Sequence, residues 1–139
     1  MLSLRFANFY VMILPVVMIA PSPKRGRGVF ATEDITEGTV IEISPVIVLT
    51  AKERRIVEQT KLYNYIFEWG THSKMACIAL GYVSVYNHDY SSNCDYDMDF
   101  DERTIKITTV KPVKKGEELF VNYNANPNDK KRVWFDKKK

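Results

Sequence analysis

Three short stretches carry residue types suited to chemistry. The first is Lys24-Arg25-Gly26-Arg27-Gly28-Val29-Phe30. Two glycines flank one arginine there, so the backbone can turn sharply and come close to a ligand. It is not a phosphate loop, because no helix follows and the Gly-Lys-Ser/Thr ending is missing. The second runs Tyr86-Asn87-His88-Asp89-Tyr90-Ser91-Ser92-Asn93-Cys94-Asp95-Tyr96. Its Asn-His pair, in a polar loop, offers donors and acceptors that suit the edge of a purine. The third is Lys115-Gly116-Glu117-Glu118-Leu119-Phe120-Val121-Asn122-Tyr123, a turn entering a strand that ends on a tyrosine. Taken singly, each has an ordinary reading: a turn, a satisfied loop, a strand-end aromatic.

The elements that must position these stretches read mostly as strands. Val16 to Ile19 reads as the first, once Pro15 splits the apolar run around it. Gly28 to Phe30, then Thr39 to Ile43 after a turn at Thr36-Glu37-Gly38, follow, and Val46 to Leu49 continues extended past Pro45. Thr50, with Glu53 three residues on, forms a capping box for a helix from Ala51 to about Thr60. Tyr63, Tyr65 and Phe67 alternate as a strand ending at Trp69-Gly70, and Met75 to Leu80 is short and apolar. Tyr96 to Phe100 and Thr104 to Val110 form a hairpin about Asp101-Glu102-Arg103, and Glu118 to Tyr123 is the last strand. The fold class is mainly β with one or two short helices. A doubly wound nucleotide-binding sheet, with strands and long helices in alternation, is ruled out.

The 139 residues allow one domain and one modest core. A formal charge of +3 is mild, and its basic residues are scattered among acids, so direct binding to nucleic acid is not expected. Cys77 and Cys94, with His72 and His88, do not complete a four-ligand metal pattern. They read as reduced thiols of a soluble intracellular protein, nuclear or cytoplasmic. Phe9 to Ala20 is apolar over twelve residues, short of the roughly twenty that span a membrane. That run also has the order of a signal peptide, with Arg5 ahead and Ala20 behind, but the split at Pro15 is the favoured reading. Met12 reads as an alternative start.

Together, in this order and spacing, the three stretches resemble the SET-domain protein lysine methyltransferases. The family has an early Gly-x-Gly turn, an Asn-His loop roughly sixty residues on, and a Glu-Leu-x-x-x-Tyr strand some thirty later, as Gly26, Asn87 and Glu118 to Tyr123 stand here. The resemblance runs from about Val16 to Phe135. It implies a set of small curved sheets (a β-clip) with a C-terminal pseudoknot, an exception to the rule that chains avoid threading. The division it implies is an extension over 1–15, a SET core over 16–124 and a closing tail over 125–139.

The resemblance also implies roles. S-adenosylmethionine would be held by the backbone of Arg25, Gly26 and Arg27, by the Asn87 side chain and by the His88 backbone. Tyr123 matches the active-site tyrosine, and Tyr96 a second tyrosine lining the lysine channel. Trp134, in Val133-Trp134-Phe135, matches the aromatic tail that members without a zinc cluster fold over the site. The substrate would be a protein or peptide lysine, with histone tails the best-known class, gripped by the segment from Thr50 to Trp69. Val121, where Phe or Tyr often stands, leaves room for di- or trimethylation. Exposed aromatics would admit a homodimer.

Some positions depart from the family. Asp89, Tyr90 and Ser92 replace the usual Ser, Cys and Pro, and Ser44-Pro45 replaces a strand-end tyrosine whose place Tyr63 or Tyr65 could take. These departures motivate an alternative, a catalytically inactive SET-like module that binds peptides. A small basic nucleic-acid-binding barrel and a secreted β-protein are the remaining readings.

Overall fold

The computed structural model describes residues 11–23, 25–72 and 74–123. Ten strands and one α-helix are found among them. The strands are β1 (Met12–Ile13), β2 (Val17–Pro21), β3 (Arg27–Ala31), β4 (Val40–Leu49), β5 (Ile66–Trp69), β6 (Met75–Ala79), β7 (Asn87–His88), β8 (Cys94–Asp99), β9 (Thr104–Thr109) and β10 (Glu118–Val121), with helix α1 over Ala51–Val57 between β4 and β5. No helix among them is long and apolar enough to cross a membrane.

Strand β4 is the hub. Its β-branched residues favour a long extended run, and it changes partner half-way. Val40 to Pro45 pairs antiparallel with β9, and Val46 to Leu49 with β6. Pro45 stands at the end of the β9 register, where a missing N–H does least harm. A β-bulge between Val40 and Glu42 turns Ile41 and Glu42 inward in succession. Met12 and Ile13, in the stretch read as an extension, pair with Ile43 and Glu42 of β4. The first long strand is β2, and it forms a hairpin with β3 that delivers the Gly26–Gly28 turn.

The path across the sheet runs β2-β3-β10-β8-β9-β4-β6-β5. Strand β10 decides the topology: it is antiparallel to β3 on one side and parallel to β7 and β8 on the other. A late strand thereby lies between the hairpin bearing the glycine turn and the loop bearing Asn87 and His88. The core beneath is Val29, Ile41, Val83, Tyr86, Ile105, Ile107, Leu119 and Val121, each nearly or fully buried.

Two local expectations need correcting. The helix forms on the Thr50–Glu53 capping box as read, but it ends at Val57. The chain then tightens to i→i−3 bonds, with Gln59 N–H on Ile56 O and Thr60 N–H on Val57 O. Lys61 to Tyr65 is a 3₁₀ turn rather than a strand, because the Thr60 hydroxyl accepts from Leu62 N–H and starts a tight helical turn. Strand β5 begins only at Ile66, leaving Tyr63 and Tyr65 exposed.

Gly81 has φ of +67°, and a Cβ there would collide with Glu42 Oε2 and Ser44 Oγ. Both the left-handed backbone and the close approach therefore require glycine. Gly81→Ala is expected to destabilise the fold by about 2 kcal/mol. Urea unfolding would show it as a lower midpoint with an unchanged slope.

Candidate active site

Ser22 N–H donates to Gly26 O at 2.8 Å and closes the first turn, with Gly26 at φ +48°. The turn is exposed, but it is tied to the Asn-His loop from across the sheet. Asn87 Nδ2 donates to Arg27 O at 3.0 Å, Arg25 O at 3.4 Å and Glu118 Oε1 at 2.8 Å. Glu118 Oε2 in turn accepts from Ser22 Oγ at 2.9 Å. Gly28 is needed for this approach and not for its φ. A Cβ on it would strike the Glu118 carboxylate and sit 3.0 Å from Asn87 Nδ2. With its NH2 group committed to the turn, Asn87 keeps Oδ1 as an acceptor at the same place.

The other half gathers around Tyr123. Its N–H donates to His88 Nδ1 at 3.0 Å, and its hydroxyl to Tyr86 O at 2.8 Å. The Tyr96 hydroxyl donates to Tyr123 O at 3.2 Å. Phe67 packs on both tyrosines, its ring centroid 5.6 Å from that of Tyr96 and 6.5 Å from that of Tyr123. His88 stacks obliquely on Tyr123 at 5.3 Å and edge-on to Tyr90 at 4.3 Å. Burial pushes the Tyr123 hydroxyl up to about 12, against a smaller downward pull from Arg25. Arg25 of the glycine turn is thus in electrostatic reach of the strand-end phenol, and so is Tyr65. Burial likewise pushes the Tyr96 hydroxyl up. Both phenols stay protonated near neutral pH.

Residues 26–124 match the family described as the SET domain. The chain belongs to the SET domain family. It is 33% identical over 130 residues to the Schizosaccharomyces pombe histone-lysine N-methyltransferase specific for H3 lysine-37, covering 90% of this chain and 83% of that one. In three dimensions it is similar to a Plasmodium falciparum protein proposed as a histone methyltransferase. That match has a TM-score of 0.62 and 22% identity, over 88% of this chain and 99% of the other. It is also similar to a chain of Polycomb Repressive Complex 2 from Chaetomium thermophilum, with a TM-score of 0.66 and 25% identity over 79% of this chain and 15% of that one. The same complex captured with S-adenosylmethionine matches at a TM-score of 0.65 and 26% identity, over 81% of this chain and 16% of that one. This SET domain is a protein-lysine methyltransferase that uses S-adenosylmethionine.

Of the residues singled out in the SET motifs, Arg25, Gly26, Arg27, Asn87, His88, Tyr96 and Tyr123 come together in one region through the contacts above. Trp134 lies outside the described residues. Four others emerge only from the fold. Glu118 clamps Asn87 and Ser22. Asn93 stands in for a strand edge, donating from Nδ2 to Glu118 O at 2.9 Å and accepting from Phe120 N–H at 2.8 Å. Tyr86 supplies the carbonyl under Tyr123, and Glu42 lies beneath Tyr86. Glu118 and Asn93 were inside the quoted stretches, and their polar side chains beside an apolar strand were a usable signal. Glu42 carried none, because alternation alone would turn it outward from Ile41.

Proposed function

We propose that this SET domain methylates a lysine of a histone tail. In this reading the Arg25–Arg27 turn, Asn87 and His88 hold S-adenosylmethionine, and Tyr123 and Tyr96 line the lysine's channel. The observation that carries the reading is a pair of ties flanking β10: Asn87 is bonded to the glycine turn, and Tyr123 N–H is bonded to the neighbouring His88. A methyl donor on the first and an amine beside the second would meet within one small region.

The cofactor's fit rests on the donors and acceptors at the turn. Asn87 Oδ1 is an acceptor suited to an ammonium, and the exposed Gly26 brings backbone close without a side chain in the way. In a parallel ladder each bridging residue alternates its polar groups toward and away from the partner strand. Asp89 N–H bonds Val121 O, so the backbone of His88, which pairs with Val121, faces away from β10. That orientation suits recognition of an adenine edge. Bound there, S-adenosylmethionine supplies an electrophilic methyl on a positively charged sulfur.

The remaining work falls to the side chains. A free lysine has a pKa of about 10.4 and arrives mostly charged. An apolar channel of Phe67, Tyr96 and Tyr123 disfavours the ammonium by desolvation and favours the neutral amine. Tyr123 cannot take the proton, since its hydroxyl is already protonated at neutral pH, so the proton leaves to water. With its hydrogen given to Tyr86 O, the Tyr123 hydroxyl turns its lone pairs outward. They can accept the amine N–H and weak C–H···O contacts from the methyl. Tyr96 holds the carbonyl of Tyr123 and lends its ring as a wall. Orientation of this kind supplies roughly 7–11 kcal/mol in favourable cases.

The test is calorimetric titration with S-adenosylmethionine, followed by transfer of labelled methyl to recombinant core histones. Binding together with label on a histone lysine supports the reading. Label confined to non-histone proteins would remove the histone assignment. No binding by a folded sample would favour the inactive peptide-binding module.

A further inference from the structure

The β-bulge in β4 buries a carboxylate directly under the loop that carries the site. Glu42 is fully buried. Its Oε2 accepts from Ser44 Oγ at 2.5 Å and from Tyr82 N–H at 2.7 Å. The Val83 backbone and the Tyr86 hydroxyl lie against the same carboxylate. Glu42 Oε1 and the Tyr86 hydroxyl each lack a hydrogen-bond partner among the described residues. Burial raises the Glu42 pKa, and Ser44 and Tyr82 oppose the rise by bonding to the charged form.

An isolated carboxylate in such a place is costly unless something holds it. Here it holds something. Tyr82 starts the 3₁₀ turn Val83–Val85, with Val85 N–H on Tyr82 O at 2.8 Å, and Tyr86 ends it. Glu42 therefore grips the start of the turn by the Tyr82 N–H and lies against its end at the Tyr86 side chain. Gly81 is kept bare so that the chain can pass over the carboxylate. The Tyr86 carbonyl emerging from this turn is the acceptor of the Tyr123 hydroxyl. Asn87, next along, is anchored separately by Arg25 O, Arg27 O and Glu118. A disturbance at Glu42 is thus transmitted to Tyr123 more than to the cofactor side.

We propose that Glu42 is a positioning residue for methyl transfer, setting the Tyr123 hydroxyl through the Tyr82–Tyr86 turn. It touches neither cofactor nor substrate. Ser44 belongs to the same device, its hydroxyl orienting the carboxylate. The proposal rests on the reading of Tyr123 as the channel tyrosine.

The experiment uses the full chain with tyrosine isotope-labelled at Cζ, and compares wild type with Glu42→Gln and Tyr86→Phe. The Tyr123 resonance is assigned by its loss in Tyr123→Phe. Both variants are expected to displace that resonance. They should lower kcat more than about tenfold while the S-adenosylmethionine Kd stays within about threefold. Tyr86→Phe keeps the ring's volume and the carboxylate's bonds to Ser44 and Tyr82, so it remains informative if Glu42→Gln does not fold. A Tyr123 resonance at its wild-type position in the folded variants overturns the proposal. So does a fall in cofactor affinity as large as the fall in kcat, which would make Glu42 a general support of the loop. Wild-type turnover in Tyr123→Phe would instead remove the underlying reading of Tyr123, whatever Glu42→Gln does.

Discussion

Tyr123→Phe is expected to bind S-adenosylmethionine within about threefold of wild type and to lose roughly 100-fold in kcat, the scale of a misplaced reacting group. The ring stays, so its contacts with Phe67 and His88 persist. The hydroxyl goes, and with it the lone pairs proposed to orient the amine. Tyr86 O loses its donor as well, a deficit of about 1–3 kcal/mol for a buried acceptor, to be seen as a lower melting temperature. The pH dependence separates the roles. With the Tyr123 hydroxyl at about 12, turnover should climb toward pH 10 as the substrate lysine loses its proton, with no break from the phenol. A residual rate in Tyr123→Phe with the same pH slope would agree with orientation, whereas full activity would remove Tyr123 from the mechanism.

Asn87→Ala should weaken cofactor binding by about 100-fold. The substitution removes an NH2 group whose two hydrogens are shared among Arg25 O, Arg27 O and Glu118 Oε1. At 0.5–1.5 kcal/mol for a neutral bond and about 1.5–3 kcal/mol to the carboxylate, the two hydrogens of the NH2 group are worth roughly 2–4.5 kcal/mol, a range that brackets two powers of ten. Part of this falls on the fold, since the same bonds tie the glycine turn to β7. Calorimetry and urea unfolding on one preparation would divide the two contributions. Wild-type affinity in a folded Asn87→Ala would move the cofactor elsewhere.

The sequence made the local features legible where chemistry and neighbours agree. Thr50 and Glu53 announce the helix start, and the runs Tyr96 to Phe100 and Thr104 to Val110 announce the β8–β9 hairpin, because each signal lies within a few residues. The region of Tyr63 and Tyr65 misled, since aromatic alternation mimics a strand while the deciding contact is the Thr60 cap. The motif residues could be tied to a family and so to one site. The means of bringing them together could not be read from spacing. Parallel pairing of β10 with β7 leaves no local trace, and neither does the clamp from Glu118 to Ser22. Glu42 is hidden for a related reason: one extra residue in the bulge reverses which way a side chain points.

The position of β10 bears on how this protein comes to life on the ribosome. Ser22 and Glu118 are 96 positions apart, and Tyr123 reaches back to His88 across 35. The proposed site cannot be complete until the chain is synthesised through Tyr123. The β2–β3 and β8–β9 hairpins can form earlier, but each then exposes an edge awaiting the late strand. Such non-local closure slows folding. A nascent or prematurely terminated chain that stops before Glu118 is therefore barred from methylating anything, and its open edges mark it for chaperones or proteolysis.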